Sequence, residues 1–437
     1  MAPGTAWRNG DGAWRGLRRP QIGRGMTGSQ ESGDKGTVLA VGNDRSQISV
    51  ARSLGRAGHR VIIGRGIDTC YAELSRHASE VWDHPPVESE PAAFMEAILA
   101  FLGARPEVRF LYPIGDLELM QVSRDRDRLP DRVTPVVAAA DIIELCHDKV
   151  RQLELARDAG VTIAPFTLVS DMDALREACD QVGWPCVIKP SNPLAQLFHR
   201  KALILGSREE LQREMPAWPK EHEALLVQHR ITGPRHNLYF AAQDGEPLGV
   251  VEMKILRNQM ADGTGLAVEG VSLTPTPLLL RDLRALLKAM NITGAGCAQF
   301  LYGGSEASTT YLETNPRLGA NFASVLHCGL DLPRIAVALA SGERLPVPER
   351  LPDYPVGERF AWSFGDLFGL KKAYQSKEIG TAQAARWLAG SLWSALRADT
   401  HITWSWSDPK PALAMLARPL VKRLGLQPKR YPKASTV

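Results

Sequence analysis

Residues 312–321 read Leu312-Glu313-Thr314-Asn315-Pro316-Arg317-Leu318-Gly319-Ala320-Asn321. Side chains two apart on a strand share a face, so Glu313 and Asn315 point the same way. Both end in oxygen, and together they can meet one cation. Pro316 stiffens the exit from the strand. Arg317 follows at once, where a guanidinium can hold charge developing on a transferring phosphoryl group. As an isolated residue it reads more readily as a surface ion pair.

Working outward, Cys297–Leu301 and Thr310–Glu313 read as strands joined at Gly303-Gly304-Ser305, a hairpin signal. A hairpin symmetric about Glu306 puts Gln299 nearly opposite Glu313. One carboxylate and two amide carbonyls are hard oxygen donors of the kind magnesium accepts. They leave positive charge on the ion for phosphate oxygens. A polar hairpin end is the alternative.

Two lysines lie upstream. Lys189 closes the apolar run Val187-Ile188-Lys189 before Pro190, and packing alone gives little reason for a lysine there. Lys149 follows His147-Asp148 inside a helix expected from Asp141 to Ala159 and stopped by Gly160. Phosphate binding calls for compact positive charge, which lysine supplies. Lys254 and Arg257 follow Val250-Val251-Glu252-Met253 of the strand expected over Leu248–Leu256; a surface charge pair with Glu252 is the alternative for them.

The folded chain opens on Val38-Leu39-Ala40-Val41, then a helix over Ser46–Ala57 and a second strand over His59–Gly64. This β-loop-α-β order starts a Rossmann-like unit. It lacks a complete GxGxxG, so a scaffold without dinucleotide is expected. The strand Arg109–Pro113 ends at Gly115-Asp116, and Asp116 is either a site residue beyond a strand end or a helix cap. A further strand is expected over Val133–Ala138.

The chain has 437 residues, 44% hydrophobic and 23% charged, with a net charge of +4. That composition suits a globular protein, and the near-neutral body argues against a nucleic-acid binder. Six cysteines fall in no CxxC pair, which argues against a zinc ribbon. No apolar run reaches the ~18 residues of a membrane helix, and no apolar signal core follows the basic start. A reduced, cytoplasmic protein is expected. Residues 1–36, rich in Gly and Arg, have no periodicity and are expected to form a disordered basic tail. Beyond Leu345, prolines and then aromatics gather without a catalytic constellation, and Trp404 and Trp406 alternate as on an extended strand.

The motifs fall in a telling order. Asp148-Lys149, Gly160-Val161, Val187-Ile188-Lys189-Pro190, Leu226-Val227-Gln228, Lys254 with Arg257, and finally Leu312–Asn321 follow one another. In this order they resemble the ATP-grasp superfamily, and more closely bacterial carboxylate–amine ligases and the carbamoyl-phosphate synthetase large subunit. Ser75-Arg76 and Gly115-Asp116 also match the leading domain of those ligases. The likeness runs from about Val38 to Leu345.

The resemblance implies an α/β fold: a Rossmann-like pre-ATP-grasp domain over 37–140, then a two-lobed ATP-grasp fold over 141–345. Its lobes would cover about 141–226 and 227–345, with a C-terminal extension over 346–437 of unassigned role. The resemblance also implies ATP and Mg2+ as cofactors, with Mn2+ as an allowed substitute. Lys149 and Lys189 would hold the phosphates. Gln228, His229 and the backbone through Ile231 would meet the adenine. Gln299, Glu313 and Asn315 would bind the metal. Arg317 would stabilise the tetrahedral intermediate, while Lys254 and Arg257 would contact the phosphoryl group or the carboxylate being activated. The implied activity is ligation of a small carboxylate to an amine or thiol through an acyl phosphate. A catalytically impaired nucleotide binder and a kinase-like use of the fold are its alternatives, and a homodimer stays open.

Two departures stand out. Members of the superfamily place an acid after the hinge glycine for the ribose hydroxyls, whereas Gly233 here precedes Pro234-Arg235-His236-Asn237. The loop Ser191–Lys201, glycine-rich in relatives, has no glycine and carries His199, Arg200 and Lys201.

Overall fold

The computed structural model describes residues 35–423 except 43, 67–69, 192–194, 199, 201, 262 and 264, with side chains as far as 417. The expected tail therefore lies outside the described residues up to residue 34, as do His199 and Lys201 of the basic loop.

The first sheet holds β1 (Thr37–Val41), β2 (Arg60–Arg65), β3 (Glu80–Asp83), β4 (Val108–Pro113) and β5 (Thr134–Pro135). Its order is β3-β2-β1-β4-β5, all parallel. The Rossmann-like expectation holds. β1 is apolar and wholly buried because both faces are covered. Val38 and Ala40 pack with Ile48 and Leu54 of the helix Ser46–Arg56. Leu39 and Val41 pack with Phe94 and Ile98 of the helix Pro91–Ala104. Strand order reverses between β1 and β4, where a crevice opens beyond the strand ends. Gly42 and Gly115 meet there: Gly42 has a φ of +131°, and a Cβ on it would lie 3.0 Å from the Gly115 nitrogen. The strand expected over Val133–Ala138 shortens to two residues; Pro135 has no N–H to continue the ladder.

The second sheet holds β6 (Phe166–Val169), β7 (Cys186–Pro190), β8 (Leu203–Leu205) and β9 (Leu225–His229), antiparallel in the order β6-β9-β7-β8. The helix Met172–Val182 covers it, setting Leu175, Ala178 and Cys179 against Cys186, Ile188 and Val227.

The third sheet holds β10 (Arg235–Gln243), β11 (Glu246–Asn258), β12 (Ala267–Leu273), β13 (Gly294–Tyr302), β14 (Thr309–Asn315), β15 (Arg359–Ala361) and β16 (Thr400–His401). The order is β14-β13-β10-β11-β12-β15-β16. One face meets the amphipathic helix Pro277–Met290, whose Leu279, Leu283, Leu286 and Leu287 pack on Leu238, Phe240, Ala298 and Phe300. The other face, with Tyr239, Ala241, Met253 and Cys297, meets Phe322, Ile335 and Leu339 and the first helix of the leading sheet. β15 and β16 come from beyond residue 345, so the aromatic-rich region extends this sheet. Trp404 and Trp406 lie outside any strand, since the chain turns at Ser405–Asp408; their rings meet edge to face at 5.2 Å.

The helix expected over Asp141–Ala159 is two helices, Ala140–Cys146 and Lys149–Asp158. The break has a local cause. Asp148 accepts hydrogen bonds from the Val150 and Arg151 N–H groups, both at 3.0 Å, and so caps a new helix. Lys149 thereby becomes a first-turn residue rather than a mid-helix one.

Candidate active site

Pairing of β10, β13 and β14 sets Asn237 opposite Gln299, and Gln299 opposite Glu313. Residues directly opposite in an antiparallel ladder share a face. The three therefore form one polar row on the face that also carries Tyr239 and Cys297. Asn315 lies two residues beyond Glu313, and its Nδ2 is 3.1 Å from Glu313 Oε1. Gln299 falls opposite Glu313 as expected, but through a register shift at Gln299/Phe300: Phe300 pairs with Tyr311, and an unbroken ladder would set Gln299 against Leu312.

Asn237 was not singled out from sequence. Its Oδ1 is buried with no hydrogen-bond partner among the described residues, and it faces Gln299. Asn237 follows Arg235 and His236 at the polar start of β10, so nothing local sets it apart. Among the described residues no three His, Cys, Asp or Glu gather as a metal cluster. The row offers instead one carboxylate and several amide oxygens, one of them orphaned. That donor set fits a hard cation that keeps water and phosphate in its other positions.

Lys189 approaches from the second sheet and Lys149 from the start of the helix Lys149–Asp158. Cys186, Ile188 and Pro190 of β7 are buried, while Val187 and Lys189 on the alternate face are half-buried. Lys149 Nζ donates to the Pro190 carbonyl at 3.2 Å, which ties the helix start to the end of β7. Burial pushes the Lys189 pKa down to about 8; neighbouring Lys149 adds to the shift and Glu313 opposes it. The two lysines and Glu313 thus share one field across two sheets. Gln152 fixes their spacing. Its Oε1 accepts from Tyr311 Oη at 2.6 Å and from the Thr314 N–H at 2.7 Å, pinning the Lys149 helix to β14.

Gln228 and His229 end β9 at the join between the second and third sheets. Gln228 is buried opposite Phe166 and Val187. His229 Nδ1 lies 3.3 Å from the Gly183 carbonyl. Ile231 is half-buried in the connection to β10. Arg235 ends that connection as the first residue of β10. It shares the face of Asn237, donates to Asn258 Oδ1 at 2.7 Å and to the Gly265 carbonyl at 3.3 Å, and burial lowers its pKa.

Arg317 is held by Asp116 through Nε and through Nη2, the latter at 2.6 Å. Its Nη1 lies 3.3 Å from the Leu318 carbonyl. Burial opposes the charge, but the Asp116 carboxylate outweighs it and raises the guanidinium pKa. Asp116 is the first residue of the helix Asp116–Arg124 and no cap; its side chain turns to Arg317, 201 residues away.

Lys254 and Arg257 are not brought to the row. Lys254 pairs with His236, on the sheet face opposite to Asn237 and Gln299. The Arg257 guanidinium is engaged by Glu269 at 2.7 Å and by Asp366 at 3.1 Å.

Residues 148–347 match the family described as carbamoyl-phosphate synthase L chain, ATP binding domain. This segment is an ATP-grasp domain. The chain is 26% identical over 220 residues to a pyruvate carboxylase component of Methanothermobacter thermautotrophicus, covering 47% of this chain and 43% of that protein. It is 23% identical over 353 residues to the carbamoyl phosphate synthase large chain of Bifidobacterium adolescentis, covering 72% of this chain and 30% of the relative. It therefore spans less than half of either relative. Among solved structures, it resembles the biotin carboxylase domain dimer of Hydrogenobacter thermophilus 2-oxoglutarate carboxylase, in complex with MgADP, ADP and bicarbonate. That match has a TM-score of 0.58 at 18% identity, covering 74% of this chain and 73% of the other, and shows the ATP-grasp fold alone. Among the described residues no helix is long and apolar enough to cross a membrane.

Proposed function

We propose that the protein is an ATP-dependent ligase that joins a small carboxylate to an amine through an acyl phosphate. The observation that carries this is the facing of the Asn237–Gln299–Glu313 row and Asn315 by Lys149 and Lys189 across two sheets. Gln299, Glu313, Asn315 and Asn237 would hold magnesium. Bound there, magnesium supplies charge neutralisation to the phosphates.

Lys149 and Lys189 hold the phosphate oxygens as point charges. Gln228, His229 and Ile231, at the join between sheets, receive the base. A substrate carboxylate oxygen attacks the terminal phosphorus, the bond to the bridging oxygen breaks, and ADP leaves. An amine then attacks the acyl carbon of the acyl phosphate. Arg317 stabilises the oxyanion of the resulting tetrahedral species, phosphate departs, and an amide remains. Most of the rate gain comes from positioning and charge stabilisation, as is general for phosphoryl transfer. The domains proposed for this work are a Rossmann-like unit over 37–140 and an ATP-grasp unit over 141–345, with 346–437 as a bracing extension. A homodimer is the proposed working assembly, in line with the dimer formed by the Hydrogenobacter thermophilus domain.

Glu313→Ala is expected to lower carboxylate-dependent ADP release by at least ~100-fold, the scale of losing a principal electrostatic contact. Thermal unfolding checks that the variant is folded; a folded variant with undiminished ADP release would remove the assignment. A nucleotide binder without ligase activity is favoured by one observation: no acid stands among Pro234–Asn237 after Gly233, where the resemblance implies one for the ribose. Stabilisation by MgATP without ADP release over a panel of acids and amines would select it.

A further inference from the structure

Beyond Arg317 the site face runs into a cavity of about 240 Å3. The direction follows from the ladder. Gln299, Cys297 and Ala295 succeed one another on one face of β13, while Glu313, Asn315 and then Arg317 run alongside on β14 and its exit. The metal donors thus come first, Arg317 next, and the cavity last. Its walls include Leu119 and Val136 of the leading domain, Ala295 of β13, and Ala336, Leu339 and Ala340 of the helix Leu332–Ala340. Arg317 contributes to the lining at one end.

We propose that this cavity receives the apolar group of the carboxylate substrate, whose carboxylate turns to Arg317. The proposal rests on the ligase reading and adds a substrate class to it: monocarboxylic acids with a branched aliphatic or phenyl group. Three observations carry it. The first is the guanidinium geometry. Arginine has five N–H donors. Asp116 takes the Nε–Nη2 edge and the Leu318 carbonyl takes one N–H of Nη1. Among the described residues the terminal edge between Nη1 and Nη2 keeps donors for a carboxylate, and Asp116 fixes the plane in which they point. The second is wall chemistry. Apart from Arg317, Tyr112 and Thr293, the lining side chains are apolar, and Arg317 is the lining's one charged group. A second carboxylate buried there would lose its water without gaining a second cation. The third is size. Sites for whole small molecules run to ~300–1,000 Å3, so this cavity suits one side group rather than an entire substrate.

The test uses the full chain with MgATP and hydroxylamine as the amine, scoring ADP and hydroxamate. The acids are 4-methylpentanoate, 3-phenylpropanoate, acetate and succinate. The two apolar acids are expected to show KM values at least tenfold below those of acetate and succinate. Ala340→Leu, which fills the cavity, should raise the KM for 4-methylpentanoate at least tenfold relative to acetate, and Ala336→Val should act the same way to a smaller extent. Equal use of succinate, or an unchanged KM ratio in both folded variants, overturns the proposal and leaves the ligase reading standing. A thermal shift with 4-methylpentanoate separates the two ideas. A shift that Ala340→Leu abolishes, in a protein that releases no ADP with any acid, upholds the cavity and removes the ligase. Absence of both shift and turnover with either apolar acid removes the cavity.

Discussion

At the scale of single residues, Asp116 and Lys189 make the sharpest demands. Asp116 grips one edge of Arg317 in a bidentate pair. An Arg317 without that partner can rotate away from the reacting carbon. Asp116→Ala is expected to lower kcat by on the order of 10- to 100-fold, as small misplacements at a reacting centre do, with a much smaller change in the KM for ATP. Asp116→Glu should restore part of kcat; equal losses in both parameters and no rescue would reduce Asp116 to a structural brace. Lys189 makes a claim about pH. Its pKa falls from 10.5 to about 8, mainly through burial, so the free site holds a charged lysine at pH 7 and a largely neutral one at pH 9. Bound phosphates favour the charged form and raise that pKa again. ATP affinity is therefore expected to fall as pH rises through about 8, and binding at pH 8.5 should take up a proton. Calorimetry in two buffers of different ionisation enthalpy measures that uptake, and Lys189→Met should abolish it.

At the scale of elements, the helix Asp116–Arg124 carries a conflict in its first turn. Glu118 is buried, and its pKa is pushed up to about 7, first by burial and then by Glu88, Asp116 and Asp44. A carboxyl raised in the folded state binds its proton there at pH values where the unfolded chain has lost it. Stability therefore falls as pH rises from about 4.5 to 7. Glu118→Gln removes that penalty. It is expected to stabilise by on the order of 1–3 kcal/mol at pH 8 and by little at pH 4.5, measured by denaturant unfolding at both pH values; equal effects at the two would show that titration is not the cause. The same scale shows what could be read beforehand. The β13–β14 hairpin was legible because glycines mark its turn, but the register shift that sets Gln299 against Glu313 was not. The helix break at Asp148 was not, because apolar spacing runs on through Ile142, Leu145, Val150 and Leu153 and hides a competing cap. Alternation along β11 told that Glu252 and Lys254 share a face, yet not that this face turns from the site. Asp116 and Asn237 depend on partners far along the chain, and a single sequence carries no sign of such a meeting.

At the scale of the whole molecule, the region beyond residue 345 acts as a clamp on the other two units. Its β15 pairs with β12, and its Asp366 takes Arg257 of β11. Trp362 stacks on Arg45 at 3.5 Å, while Arg45 also donates to Asn321 of the Leu312–Asn321 segment at 2.8 Å. Asp408 closes the clamp on the leading domain. It accepts from Arg52 Nε at 2.9 Å, Ser75 Oγ at 2.7 Å and the Arg76 N–H at 2.9 Å. Arg52 is 7% exposed and Asp408 2%, so neither has water to fall back on. Asp408→Ala leaves the arginine charge buried and unpaired, a loss worth about 3–5 kcal/mol in comparable pairs. If the clamp is a cooperative part of the fold, the midpoint of unfolding should fall by that amount in one transition. If it is a separable flap, hydrogen exchange will speed up only across residues 400–417, and the three sheets will keep their protection. Because the Arg45–Asn321 contact follows directly on the catalytic segment, the first outcome should also lower carboxylate-dependent ADP release, and the second should leave it intact.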